Sequence, residues 1–182
     1  MQSATRLGAK LLLLASILCA APAGAVPGGA PPQKKEYLSE VEAGKIRDAG
    51  TTGPRIVLFE GFASDRIKKL QYEFAHFDTM DQKRTDRLNG LINSYTGCID
   101  DAADLIELGI ENQADIREGV KAMQKGIKEF LPYLQGLAAN GVELETYKEN
   151  LEDAIEATQD ASKDVEKASK EATAPPVRRK PS

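Results

Sequence analysis

Residues 116–137 read Ile-Arg-Glu-Gly-Val-Lys-Ala-Met-Gln-Lys-Gly-Ile-Lys-Glu-Phe-Leu-Pro-Tyr-Leu-Gln-Gly-Leu. Ile116, Val120, Met123, Ile127, Phe130, Leu134 and Leu137 advance by fours and threes, which places all of them on one seam of a helix. Pro132 falls inside the run and lacks the amide that the Lys128 carbonyl needs, so a kink is expected near it. Asn140-Gly141 then reads as a stop and reversal, with the glycine taking positive φ. Beyond it Leu144, Tyr147, Leu151, Ala154, Thr158, Ala161, Val165, Ala168 and Ala172 repeat at the same spacing, with small residues that let helices approach closely. The two seams predict a long C-terminal helical hairpin. Packed against earlier helices, it predicts an all-α fold, an elongated antiparallel four- or five-helix bundle.

Upstream, Leu38, Val41 and Ile46 predict a short helix over 36–49, closed by Gly50-Thr51-Thr52-Gly53. Pro54 suits a first helical turn and opens a second helix, in which Ile56, Phe59, Ala63, Ile67, Leu70, Phe74 and Phe77 form one apolar face. Asp78 and Thr79 are expected to turn and cap the chain before a third helix carrying Leu88, Leu91, Ile92, Tyr95, Ile99, Ala102, Leu105 and Ile106. Gly109–Asn112 interrupts this pattern weakly, because glycine costs about 1 kcal/mol relative to alanine without ending a helix. One bent rod and two separate helices are both compatible with it. Gly90 with Gly97, and Gly119 with Gly126, stand one heptad apart and mark faces where a neighbouring backbone comes close.

The N-terminus carries an address. Arg6 and Lys10, the apolar run Leu11–Ala21 and Ala23-Gly24-Ala25 have the charged entry, short greasy middle and small-residue cleavage site of a secretory signal peptide. The expected layout is a signal peptide over 1–25 cleaved after Ala25, a Pro/Gly linker over 26–35, a helical domain over 36–173 and a basic, proline-containing tail over 174–182. A lipid-modified Cys19 is the competing reading; Leu18 stands where a lipoprotein signal has glycine or alanine, which disfavours it. The expected location is the periplasm or outside the cell.

Cleavage removes two basic residues and no acid, leaving 22 of the 24 Lys and Arg against 28 Asp and Glu, a balance of −6. Such a chain is a poor general nucleic-acid binder. Cleavage also leaves Cys98 as the single cysteine, expected to be a small buried apolar residue rather than a reactive thiol or an intermolecular disulfide.

Few groups for chemistry remain. His76 is the one histidine and reads as a cap on the end of the second helix, or otherwise as a base oriented by Asp78. One cysteine and one histidine supply neither c-type haem attachment nor the paired Glu-x-x-His elements of a di-iron bundle, and no phosphate-binding glycine loop is present. Asp100, Asp104, Glu107 and Glu111 align on one helix face, where they offer metal ligands from one side only. A solvated face pairing with the basic row Arg117, Lys121, Lys125 and Lys128 is the expectation. The basic stretches Asp65–Lys69 and Lys83–Arg87 are read as exposed, and Arg178, Arg179 and Lys180 as a weak contact with an anionic envelope surface.

No catalytic, cofactor-binding or metal-ligating residue is therefore assigned. The expected function is that of an exported noncatalytic protein that binds another envelope or periplasmic protein, or itself, through helix faces. A chaperone-like or stress-response binder of unfolded clients is the alternative, and an enzyme built on His76 ranks third.

Overall fold

The computed structural model describes residues 36–76, 78 and 80–173, and within them every regular element is helical, with no strand. The expected signal peptide with Cys19 and Ala25, the linker, the tail with Arg178, Arg179 and Lys180, and residues Phe77 and Thr79 lie outside the described residues. Five α-helices follow in order: α1 (Glu40–Asp48), α2 (Thr52–Ala75), α3 (Arg84–Glu111), α4 (Arg117–Asn140) and α5 (Lys148–Thr173).

The four long helices run up and down, so that each is antiparallel to the next. Around the bundle, however, the order is α2, α3, α5, α4. Helix α2 packs on α3 and α4, α5 packs on the same two, and the successive helices α3 and α4 stand diagonally. Glycines explain why α4 lies beside α2. A Cβ on Gly53 would stand 2.6 Å from the Asp115 carbonyl oxygen, and one on Gly119 would stand 2.7 Å from Ile56 Cβ, so the two helices cross at backbone contact. All seven seam residues of α4 are buried, and the α5 seam from Tyr147 through Ala168 is buried with them. At the centre the Tyr95 hydroxyl meets the Thr158 hydroxyl at 2.7 Å, and the Thr158 hydroxyl donates to the Ala154 carbonyl at 2.6 Å.

Several local expectations change. The chain does not continue as one rod through 109–112. Helix α3 ends in a Schellman motif: Gln113 takes φ of 54°, its amide donates to the Ile110 carbonyl, and the Ala114 amide donates to the Gly109 carbonyl. Gly109 is no breaker; it lies within α3 beneath Ile116, whose Cγ2 would be 2.4 Å from an added Cβ. Gly141 stops α4 in extended backbone, φ −66°, and the left-handed residue of that turn is Glu143, φ 58°. Glycine is required at 141 for space, because the Tyr147 hydroxyl oxygen would lie 2.2 Å from its Cβ. Helix α4 continues through Pro132, which sits on its exposed side.

The first helix begins later than expected, at Glu40, because Ser39 and Glu42 form a reciprocal capping box. Val41 is 69% exposed, so it is no core residue; Leu38, just before the cap, is buried instead. Helix α3 begins at Arg84, after a turn in which the Asp78 carboxylate accepts from the Met80 amide and the Asp81 carboxylate from the Lys83 amide.

Candidate functional site

The α2–α3 face combines the groups most relevant to recognition. Gly97 and Gly90 lie seven residues apart on α3, about 10 Å along one side of the helix. At Gly97 the notch is filled: an added Cβ would be 2.8 Å from Cδ1 and Cε1 of the Tyr37 ring. At Gly90 nothing lies within 4 Å of such a Cβ. The expectation of a neighbouring backbone thus fails at Gly90, and at Gly97 the nearest atoms belong to a side chain instead.

The space beside Gly90 is an open groove of about 700 Å³ lined by Lys68, Lys69, Tyr72, Glu73, Arg87, Gly90, Leu91 and Ser94. Its walls are ion-paired. Lys69 meets Asp65 at 2.7 Å, and Arg87 bridges Glu73 at 2.9 Å and Asp81 at 2.5 Å. Those hydrogen bonds raise the Arg87 pKa and lower that of Asp81. Two of the three lining cations, Lys69 and Arg87, are therefore ion-paired, and the floor formed by Gly90, Leu91 and Ser94 is uncharged. The Ser94 hydroxyl donates to the Gly90 carbonyl at 2.6 Å, so it is already committed. Tyr72, 61% exposed, stands at the margin with its ring stacked on His76 at 4.0 Å between centroids. Such a surface can bury an apolar or aromatic side chain.

His76 occupies the C-terminal cap of α2, and its Nδ1 donates to the Tyr72 carbonyl at 2.9 Å. This is the capping geometry. The Asp78 side chain bonds the Met80 amide. Cys98 is fully buried and forms no disulfide among the described residues.

The acidic row Asp100, Asp104, Glu107 and Glu111 is exposed, and no cluster of three metal-ligating side chains occurs among the described residues. Partial desolvation of its carboxyl and the neighbouring Asp104 carboxylate raise the Asp100 pKa. The row does not pair with the basic row of α4, because α3 and α4 stand diagonally; Arg117 pairs with Asp115 in its own turn. Among the described residues no helix is long and apolar enough to cross a membrane.

Two arginines read from sequence as exposed are buried. Arg66 pairs with Glu42 through both of its terminal nitrogens, with Nη2 to Oε2 at 2.8 Å, and Nη2 also donates to the Tyr37 carbonyl at 3.3 Å. Arg84 donates to Glu143 at 2.9 Å and to the Glu73 carbonyl at 3.2 Å, with its guanidinium over the Phe74 ring. These residues join segments remote in sequence, and local patterning carries no sign of that. The Ser-Glu-Val-Glu capping box at 39–42, by contrast, was a readable signal for the start of α1.

No family model, curated protein or solved structure matches this chain.

Proposed function

We propose that this chain is an exported, noncatalytic binding protein that holds a protein partner on the α2–α3 face of its bundle. The observation that carries the reading is the unfilled notch at Gly90. One heptad away the matching notch at Gly97 holds the Tyr37 ring, which provides an internal example of what this face accepts. The Gly90 groove has the same uncharged floor, with Tyr72 and Leu91 positioned to cover an incoming apolar or aromatic side chain. Burying a side chain of that size contributes about 1.5–3 kcal/mol, and with Lys69 and Arg87 ion-paired, Lys68 and the uncharged floor favour a neutral or weakly acidic segment over a highly charged one. The expected export signal would place the partner in the envelope or outside the cell.

Gly90→Trp provides a direct test, because the space around Gly90 lets the helix accept a large side chain while the groove is filled from within. A photoreactive residue in place of Lys68, on the groove wall, is expected to give a discrete adduct in cells. The same probe in place of Lys163, on the exposed side of α5, is expected to give none. Gly90→Trp should abolish the Lys68-site adduct while leaving the circular dichroism of the protein intact. No adduct, or an adduct indifferent to Gly90→Trp, would overturn the reading.

A further inference from the structure

We propose that residues 37–48 form a releasable strap, which swings about Gly50 away from α2 and α3 while the four long helices stay folded, uncovering the Gly97 notch. The strap's anchors among the described residues cluster near its start, with the partly buried Ile46 resting on the core farther along. The Tyr37 ring fills the notch, Leu38 enters the core, and Glu42 pairs with Arg66. Helix α1 itself buries no residue, and α2 is the long helix it packs against. Gly50, at φ 70° with nothing within 4 Å of its Cβ position, links the strap to α2 at an uncrowded joint.

The anchors favour two states over gradual fraying. Arg66 is buried with the strap in place, and its Nη2 donates both to Glu42 and to the Tyr37 carbonyl, so one guanidinium holds both ends of the anchored segment. Lifting one end loosens the other. Opening costs the burial of one tyrosine ring and one leucine and the partial burial of Ile46, together with this ion pair, whereas the bundle beneath retains the rest of its core. The open state would expose a second notch beside the Gly90 groove, extending the uncovered α2–α3 face along α3. The strap motion stands whether or not that face binds a partner.

Cys98 provides the reporter. It follows Gly97 in sequence and is fully buried with the strap closed. The test is alkylation of Cys98 by N-ethylmaleimide in the full-length protein, read by mass spectrometry of the peptide containing it, across a urea series below the global transition. Glu42→Gln is the informative variant, because glutamine preserves the capping box with Ser39 yet leaves Arg66 only the longer contact with Asp65, at 3.6 Å, as an ion pair. Removing one partner of a buried pair predicts alkylation at least about tenfold faster, with a urea dependence much shallower than that of global unfolding followed by circular dichroism. An unchanged rate, or one as steep in urea as global unfolding, would overturn the strap. Should Glu42→Gln fail to fold, Tyr37→Ser, which leaves the ion pair in place, carries the same expectation and the same refutation.

Discussion

The Tyr37 ring occupies the space that a side chain at position 97 would need, with Cδ1 and Cε1 each 2.8 Å from where a Gly97 Cβ would lie. Two residues 60 positions apart thus fit together as ring and notch, and the equivalent notch at Gly90 is open.

Alanine substitutions should separate the two notches. Gly90→Ala is expected to stabilise the protein by up to about 1 kcal/mol through helix propensity alone. Gly97→Ala must displace the tyrosine ring and should destabilise by about 1–3 kcal/mol, the usual cost of overpacking. Gly119→Ala, facing Ile56 and the Gly53 carbonyl, should cost at least as much as Gly97→Ala. Urea midpoints of the three variants check the ranking; equal effects at 90 and 97 would contradict it.

Acid should weaken the Glu42–Arg66 contact in a defined window. The guanidinium of Arg66 holds the Glu42 pKa down at about 2, below its ordinary value of 4.5. A group whose pKa is depressed in the folded state contributes stability that is present above the ordinary value and lost as pH falls through the folded one. Between about pH 5 and about pH 2, the wild-type chain should therefore lose more stability than Glu42→Gln, which has no carboxylate to protonate. Identical losses in urea titrations of the two proteins would show that this pair does not contribute.

The buried hydroxyl pair gives a double-mutant cycle. Because the Thr158 hydroxyl donates to the Ala154 carbonyl, the Tyr95 hydroxyl is the donor between them. Thr158→Val leaves that donor buried without an acceptor and should cost about 1–3 kcal/mol. Tyr95→Phe should recover part of this loss in the Thr158→Val background, a non-additivity that chemical denaturation of the four proteins measures.

At the end of α3, Gln113 holds left-handed backbone without the freedom of glycine. Gln113→Gly should stabilise by about 0.5–1 kcal/mol. The same change at Glu143, also left-handed, should not, because it removes the carboxylate that receives Arg84. Thermal melts of the two variants are expected to shift in opposite directions.

The groove at the candidate site was only half legible. The heptad spacing of Gly90 and Gly97 is visible in sequence and places both on one side of α3, but the neighbouring backbone it led one to expect is not what the structure shows at either glycine. Which notch is filled depends on Tyr37, placed there by the Ser39–Glu42 cap and the Arg66 ion pair, and no pattern within α3 encodes it. Arg66 and Arg84 look like solvated charges among other charges, because their burial depends on Glu42 and Glu143, which lie 24 and 59 residues away.

Taken alone, the sequence determined the apolar faces of the long helices, because apolar spacing at threes and fours is a local property that survives any arrangement of neighbours, but it left open whether α3 and α4 are one rod or two. It also determined the hairpin of α4 and α5, whose short connection allows little else. Only the tertiary structure decided that α4 lies beside α2 and diagonally from α3, since that choice rests on glycines of two separate helices meeting at backbone contact. The tertiary structure likewise decided that α1 is tied to the bundle chiefly by the residues flanking it and by one ion pair. Ring, notch and guanidinium acquire their roles only when the chain brings them together.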